Sequence, residues 1–381
     1  MHIAYLTTEF PYQSSKSGGI GTSICNLARM LCTKSNIKVS VLYWGAPFNS
    51  NVLFEGFSLI PIRREGHSVF SPVVSRMKLT KSINRLIRDY EIDVVEVTDW
   101  EGNYAFGKIK CPVVMRMHCS NLYFGKVLNK RVSPFIGLLE KLAVKKVNGY
   151  ISCSQQVKDV SNSVFHFDSN LPAQVIYNIV DESIIVKYRK KFEMNHRVVF
   201  YGTLTDKKGV MILPAVFNLL AKEYSDVEFY VIGKDTVEDG ENVSHKIMKQ
   251  VDEQYCDRFH IIGPLPYDNL LSFVSSCAFC LLPSKAEGMP LVLIEGMMLQ
   301  RCIITSDIPC LKEVSTDKIN VIQCPVNDFH CYYDALKNLF ENEPLAEQLA
   351  INACHHAEEV FSKDKIINQN LSFYKSLIGH E

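Results

Sequence analysis

The 381-residue sequence predicts an α/β protein built from two doubly wound, Rossmann-like domains that face a cleft. Short runs rich in β-branched and aromatic residues alternate with segments of helical periodicity, which is typical of stacked βα units. The alternation pauses near residue 180 and then restarts. The length also allows two domains of ordinary size, each with its own core.

The elements follow from this alternation. In the first half we expect strands at His2–Leu6, Lys38–Tyr43, Val94–Val97, Val113–Met117 and Gly149–Ser152, with helices over 21–33, 76–90 and 134–147. In the second half we expect strands at Val198–Tyr201, Val227–Ile232, His260–Ile262, Ala278–Leu282 and Cys302–Thr305, with helices over 208–223, 244–255, 267–275, 290–299 and 328–341.

The domain boundary is expected near residue 185, so that residues 1–185 form one domain and 186–359 the other. The stretch 360–381 carries apolar residues along one helical face, and we expect that helix to pack back on the first domain. Ligands of such parallel sheets bind at the carboxyl ends of the strands, which here would face the cleft.

Composition indicates a cytoplasmic globular protein. Hydrophobic residues make up 47% and charged residues 22% of the chain, and no run reaches the roughly 18 apolar residues of a membrane-spanning helix. The segment Met1–Leu6 is expected to be a first strand rather than a signal peptide. Thirteen scattered cysteines, including a lone Cys277-x-x-Cys280, fit reduced, buried thiols better than a zinc site.

Charge is distributed unevenly along the chain. Residues 1–180 hold 21 Lys and Arg against 12 Asp and Glu, whereas the remainder holds 20 against 29. The first half is therefore expected to meet something anionic. Nucleic acid is not expected because no recognisable binding motif accompanies the charge. The basic residues cluster with apolar ones in two helical segments, 76–88 and 126–146, which suggests peripheral contact with anionic lipid on the inner face of the plasma membrane; a solvated outer face is the alternative.

The strongest motif is the segment Pro283–Glu295, between a predicted strand and a predicted helix. Pro290 fits the first helical turn, and Gly288 and Met289 would then present backbone N–H groups to an anionic leaving group. Glu287 and Glu295, eight residues apart, could bind two sets of hydroxyls on one elongated ligand. The alternative is a helix with one incidental carboxylate.

This segment resembles the Glu-x7-Glu motif of the retaining glycosyltransferases of family 4, which have the GT-B fold. The resemblance runs along nearly the whole chain. Its other segments are Ser17-Gly18-Gly19-Ile20-Gly21, Arg116-Met117-His118, Val175 to Asp181, Phe200 to Leu204, Lys208-Gly209-Val210, Gly263-Pro264-Leu265 and Asp307-Ile308-Pro309.

The resemblance implies a role for each matching residue. Glu287, His118 and Lys208 would be catalytic: Glu287 contacts the donor sugar, His118 faces the reacting sugar, and Lys208 pairs with the diphosphate. Glu295 would hold the ribose hydroxyls. The residues expected to bind the donor are Gly19, Gly21, Lys207, Lys208, Gly288, Met289, Pro290, Leu291 and Glu295. The alternative for His118 is a core histidine at a strand end.

One position departs from the family pattern, because Thr203 stands where the family usually has an arginine that shares the diphosphate with the lysine. A threonine supplies no guanidinium group. Lys207 could compensate, fewer cations could suffice, or activity could be weaker.

No Asp-x-Asp follows a strand as a metal–diphosphate bridge would need, so we expect no metal and no cofactor. The loop Asp99–Asn103 follows a buried strand and could touch the acceptor, or could simply pack Trp100.

The resemblance therefore implies retaining transfer of a sugar from a UDP- or GDP-linked donor to a glycan or lipid-linked acceptor on the first domain. The setting would be bacterial surface polysaccharide biosynthesis. Two alternatives stay open: a nucleotide-sugar epimerase or hydrolase of similar fold, and a catalytically silent partner subunit, which Thr203 would favour.

Overall fold

A computed structural model describes residues 1–12, 18–64 and 71–379. It forms two compact units, one of Met1–Val180 with Lys363–Glu381 and the other of Asp181–Ser362. Both units are α/β with a mainly parallel sheet, which confirms the predicted fold class. Ser17 of the first glycine-rich segment and residues 380–381 of the terminal segment lie outside the described residues.

The first unit contains an eight-stranded sheet. Its strands are β1 (His2–Thr7), β2 (Lys38–Trp44), β3 (Val52–Phe54), β4 (Phe57–Ile62), β5 (Val94–Thr98), β6 (Val113–Met117), β7 (Gly149–Ser152) and β8 (Ala173–Val175). The helices are α1 (Gly19–Leu31), α2 (Ser71–Tyr90), α3 (Asn121–Val127), α4 (Pro134–Val144) and α5 (Gln155–Phe165). The strand order is β3-β4-β2-β1-β5-β6-β7-β8, and the only antiparallel pair of this sheet in the described residues is β3 with β4.

The second unit contains a six-stranded sheet and a short hairpin. Its strands are β9 (Arg197–Tyr201), β10 (Glu228–Ile232), β11 (Val237–Glu238), β12 (Glu241–Asn242), β13 (Phe259–Ile262), β14 (Phe279–Leu282), β15 (Cys302–Ser306) and β16 (Ile322–Cys324). The large sheet has the order β13-β10-β9-β14-β15-β16 and is parallel throughout. The helices are α6 (Glu182–Tyr188), α7 (Leu213–Glu223), α8 (Val243–Met248), α9 (Tyr267–Val274), α10 (Leu291–Met298), α11 (Pro309–Lys312), α12 (Phe329–Glu341) and α13 (Glu343–Val360).

Two predicted helices are shorter than expected. The segment 208–223 becomes α-helical only at Leu213, because Gly209 adopts a left-handed conformation with φ +71° and a 3-10 turn follows over Val210–Ile212. The segment 244–255 ends as an α-helix at Met248. There the Asn218 side chain binds the Gln250 carbonyl at 2.9 Å and the Asp252 N–H at 3.0 Å, which holds the chain in a bend.

The last helix, α14 (Lys363–Ile378), belongs to the first unit and packs on α1. It is held by a buried polar network. Arg116 on β6 makes two bonds to Glu96 on β5, at 2.7 and 2.9 Å. Asn370 accepts a further bond from Arg116 at 2.5 Å, and the Tyr374 hydroxyl donates to Glu96 at 2.6 Å. The helix is therefore fixed by directed bonds as well as by its apolar face.

The surface of the first unit differs from expectation at two positions. Arg76 is buried, and its guanidinium donates to the carbonyls of Gly102 and Glu101 at 3.0 and 2.9 Å. Leu139 on α4 is also buried, with 1% of its surface exposed. Neither residue can contact a membrane.

No helix of the described residues is both long and apolar enough to cross a bilayer.

Replacing Arg116 by Met should destabilise the protein by ~3–5 kcal/mol, because Glu96 would remain buried without its counter-ion. Removing both charges, in an Arg116→Met, Glu96→Met variant, should recover much of that loss. Urea unfolding followed by circular dichroism measures both. A double variant that is no more stable than the single one would contradict this account of the network.

Candidate functional site

The predicted pair Lys208 and Glu287 meets in the second unit. Glu287 is buried in the loop between β14 and α10, with 7% of its surface exposed. One of its carboxylate oxygens accepts bonds from Lys208 Nζ at 2.5 Å and from Ser284 Oγ at 2.7 Å. The two side chains predicted to act on the donor therefore form an ion pair with each other.

A glycine brings the two loops into contact. Lys208 ends a short 3-10 turn, Asp206–Lys208, and Gly209 follows with φ +71°. A β-carbon at Gly209 would lie 1.8 Å from the Pro283 carbonyl oxygen. Only glycine fits both the conformation and the contact, which places the lysine turn directly against the start of the Glu287 loop.

Lys285 is a residue that the sequence analysis missed. Its N–H donates to the Lys207 carbonyl at 2.9 Å, and its Nζ pairs with Asp206 at 2.5 Å. A second ion pair therefore joins the same two loops. The available signal was the position of Lys285, two residues before Glu287 in the same strand-to-helix loop.

Glu295 lies on α10 and is 4% exposed. The Tyr267 hydroxyl, at the first residue of α9, donates to its carboxylate at 2.9 Å. Burial raises the pKa of Glu295 to about 7, while the bond from Tyr267 acts in the opposite direction. The carboxylate therefore titrates near neutral pH. Sequence reasoning identified Glu295 but not Tyr267.

The start of α10 corrects one expectation. The helix begins at Leu291, and Pro290 precedes it with an extended ψ of 122°. Pro290 is therefore the N-cap rather than part of the first turn. Gly288 and Met289 lie in the loop before the cap, so their N–H groups do not belong to the helix N-terminus, which starts with Leu291.

In the first unit, His118 directly follows β6. Its backbone N–H donates to Asp99 Oδ1 at 2.9 Å, and Asp99 directly follows β5. The Nε2 atom of His118 is buried and has no hydrogen-bond partner among the described residues. Burial, reinforced by Arg116, lowers the pKa of His118 to about 3. The imidazole is therefore neutral and suited to hydrogen bonding rather than to proton transfer near pH 7.

Buried carboxylates hold the loop around His118. Asp99 is 2% exposed, and burial raises its pKa to about 7, although the hydrogen bond from the His118 N–H acts to lower it. Glu140 on α4 accepts the N–H groups of Asn121 and Leu122, each at 3.0 Å, at the start of α3. Trp100 is only half-buried. The structure thus assigns Asp99 and Glu140 a positioning role that sequence spacing could not show.

The glycine-rich segment at α1 has a different environment from the one expected. The Gly21 N–H donates to the Glu9 carboxylate at 2.8 Å, and a β-carbon on Gly21 would lie 2.8 Å from the Glu9 carbonyl oxygen. Gly21 is thus required for packing against Glu9. Gly19, the first residue of α1, has open space beside it within the described residues.

Comparison with known proteins identifies the family. A family model described as "Glycosyltransferase Family 4" matches residues 17–184, and one described as "Glycosyl transferases group 1" matches residues 195–342. The chain belongs to the family 4 glycosyltransferases. In this glycosyltransferase, the group 1 match covers Lys208, Glu287 and Glu295, while the family 4 match covers Gly19, Gly21 and His118.

Two curated relatives agree with the assignment. An uncharacterised glycosyltransferase of Methanocaldococcus jannaschii is 26% identical over 80% of this chain and 84% of its own. The O-antigen chain mannosyltransferase C of Escherichia coli is 21% identical over 60% of this chain and 59% of its own.

Solved structures share the fold. Sucrose-phosphate synthase of Thermosynechococcus elongatus has a TM-score of 0.78 at 14% identity, covering 100% of both chains. The Anabaena protein HepE, crystallised with UDP and glucose, has a TM-score of 0.74 at 17% identity, covering 98% of this chain and 99% of its own. The glycosyltransferase thus has the GT-B fold that the sequence resemblance implied.

Proposed function

We propose that this glycosyltransferase moves a sugar, with retention of anomeric configuration, from a nucleotide diphosphate donor to a glycan or lipid-linked acceptor in surface polysaccharide synthesis. The observation that carries the proposal is the Lys208–Glu287 ion pair, which precedes Glu295 on the adjoining helix. The O-antigen mannosyltransferase supports the polysaccharide setting, and the structure of HepE with UDP and glucose supports the donor class.

In the proposed donor complex, Lys208 binds the diphosphate and Glu287 binds hydroxyls of the donor sugar. The diphosphate replaces Glu287 as the partner of Lys208, and the Glu287 carboxylate accepts sugar hydroxyls in place of the lysine. As the glycosidic bond breaks, negative charge grows on the leaving phosphate, where a fixed ammonium group stabilises it. The leaving phosphate takes the acceptor's proton, and the acceptor attacks on the same face.

His118 contributes a hydrogen bond to the reacting sugar in this proposal. Its pKa of about 3 makes it a poor general base or acid at neutral pH. The bond from its N–H to Asp99 instead fixes where the loop presents it. Glu295 accepts the ribose hydroxyls of the nucleotide, UDP or GDP, through a carboxylate already oriented by Tyr267.

A transfer assay tests the proposal against its rivals. The purified protein is incubated with UDP- and GDP-sugars, with and without lipid-linked and glycan acceptors. Acceptor-dependent transfer with retained configuration is the expected result. Release of free or epimerised sugar without acceptor would identify a hydrolase or epimerase, and donor binding without turnover of any kind would identify a silent subunit.

Turnover should survive chelation by EDTA and should not require added magnesium or manganese, because lysines carry the charge stabilisation in this proposal. Activity that EDTA abolishes and a divalent cation restores would contradict the role given to Lys208. A structural metal is distinguished by circular dichroism, which would change on chelation.

Glu295→Ala should weaken UDP binding roughly 10- to 150-fold, since losing a charged hydrogen-bond partner costs ~1.5–3 kcal/mol. Because the carboxylate has a pKa of about 7 in the free protein, wild-type affinity should rise as pH increases through that value. Glu295→Gln should lack this dependence while sharing the titration of the nucleotide itself. Calorimetry over a pH series measures both; parallel profiles for wild type and Glu295→Gln would contradict the assignment.

Lysine variants test which cation takes the place of the arginine that the family usually has at position 203. Lys208→Ala should depress turnover most. If Lys285 supplies the second cation, Lys285→Ala should lower kcat/KM nearly as much as Lys208→Ala does, and adding Thr203→Arg to that variant should restore activity. If Lys207 supplies it, Lys207→Ala should lower kcat/KM to a similar extent, and Thr203→Arg should restore that variant instead. Steady-state kinetics of the three single variants decides between them, and wild-type kinetics for both Lys207→Ala and Lys285→Ala would mean that Lys208 suffices.

We further propose peripheral contact with anionic membrane through α2 and α4. On α2, Met77 is exposed beside Lys78, Lys81 and Arg85; on α4, the exposed Phe135 and Leu138 lie on the face that continues to Lys141 and Lys145. Apolar residues inserted beside basic ones are typical of interfacial helices.

Vesicle sedimentation should show binding to acidic but not to zwitterionic lipid, and high salt should abolish it. Each basic residue near an anionic surface contributes ~1 kcal/mol, so Lys141→Gln with Lys145→Gln should reduce binding clearly. Lys146 is a poorer target because its Nζ already bonds the Gly107 carbonyl at 2.9 Å. Equal binding to both lipids would rule out this electrostatic attachment.

A further inference from the structure

A cavity of the first unit lies at the carboxyl ends of two neighbouring parallel strands. Trp44 at the end of β2 is in register with Ile62 at the end of β4, and the next residue, Gly45, donates its N–H to the Ile62 carbonyl at 2.8 Å. The cavity has a volume of about 590 Å³. Its walls include Phe48, Asn49, Ile62, Arg63 and Arg64, and we call it the β2–β4 cavity.

The cavity carries positive charge that the described carboxylates do not balance. Arg63 and Arg64 are exposed, and no carboxylate of the described residues forms an ion pair with either. The Arg64 guanidinium lies 4.7 Å from the centre of the Trp44 ring, and that of Arg76 lies 5.8 Å from the same ring. The pKa of Arg76 is lowered by burial and, next, by Arg64. The guanidinium groups of Arg64 and Arg76 therefore both lie against the Trp44 indole.

This arrangement suits a negatively charged ligand with a ring. Guanidinium groups bind carboxylates and phosphates through paired hydrogen bonds. Stacking on Trp44 orients Arg64 in advance, which lowers the entropy cost of binding. Phe48 and Ile62 offer apolar contact to one face of a sugar ring, and the Asn49 amide can bind hydroxyls.

We propose that the β2–β4 cavity binds the anionic group, carboxylate or phosphate, of an acidic acceptor sugar. The inference rests on the proposed function, because it names the substrate class of the acceptor. Residues 1–180 hold 21 basic and 12 acidic residues, and this net positive charge would attract such a ligand from solution. The charge of the nucleotide is met elsewhere, by the lysines of the second unit.

The test is a ligand-observed NMR titration of the full chain with three small probes. These are a disaccharide that contains glucuronate, the neutral disaccharide with glucose in that position, and a hexose phosphate. Both acidic probes, or one of them, should bind at least about tenfold more tightly than the neutral one, as expected for a charged hydrogen bond. Which acidic probe binds better identifies the anionic group.

Arg63→Gln with Arg64→Gln should remove the preference for acidic probes and leave the weak binding of the neutral sugar unchanged. Lys108→Gln with Lys110→Gln removes two exposed charges of the same unit outside the cavity; this variant is the matched control and should keep the preference. Because Trp44 and Trp100 are the only tryptophans, a Trp100→Phe background should still report acidic-probe binding as a change in Trp44 fluorescence.

Equal binding of acidic and neutral probes, or binding of neither, overturns the proposal. So does a Gln variant that loses binding to acidic vesicles while binding the acidic sugars normally, since the cavity would then serve lipid. UDP binding is measured on the same samples. If UDP binds while the sugar preference is absent, this inference fails alone; if UDP and UDP-sugars do not bind, the proposed function fails.

Discussion

The buried ion pair between Arg116 and Glu96 is the interaction on which the first unit depends. It joins neighbouring strands β5 and β6, and the same two side chains bind Asn370 and Tyr374 of α14. The chain leaves this unit after Val180 and returns at Lys363. Helix α14 covers the ion pair and supplies further hydrogen bonds to both charged side chains, and buried polar groups need such partners. The first unit is therefore completed by a segment that follows the second unit in sequence.

The same ion pair also bears on the candidate chemistry, because Arg116 lies two residues before His118. The strand that carries Arg116 ends at Met117, and the following loop is held by Asp99 and Glu140. Burial is the larger cause of the lowered pKa of the His118 imidazole, and the charge of Arg116 lowers it further. A charge that serves the fold therefore helps to keep His118 neutral, while Asp99 binds the backbone N–H of His118 and Glu140 binds those of Asn121 and Leu122.

The buried parallel strands were predictable because strands covered on both faces appear as continuous apolar runs; Val113–Met117 and Gly149–Ser152 match the structure at both ends. Strand β4 was missed because Pro61 argues against a strand, yet Pro61 lies beyond the last residue paired with β3. Helix α13 was missed because alanines form much of its buried face. In the site, the Lys208–Glu287 and Lys285–Asp206 pairs each join residues 79 apart, and local pattern cannot reveal such contacts.

The two ion pairs that join the Lys208 turn to the Glu287 loop have different consequences for a bound donor. A diphosphate that takes Lys208 would remove the ion pair from the buried Glu287 carboxylate, which also accepts a bond from Ser284. In the proposed complex an intact donor compensates this loss, because its sugar hydroxyls bond to the Glu287 carboxylate, whereas a nucleoside diphosphate alone brings no such hydroxyls. Asp206 is more exposed than Glu287, so water can replace Lys285 as its partner. The Lys208–Glu287 pair would therefore favour the donor over the nucleotide product and would close again as the product leaves.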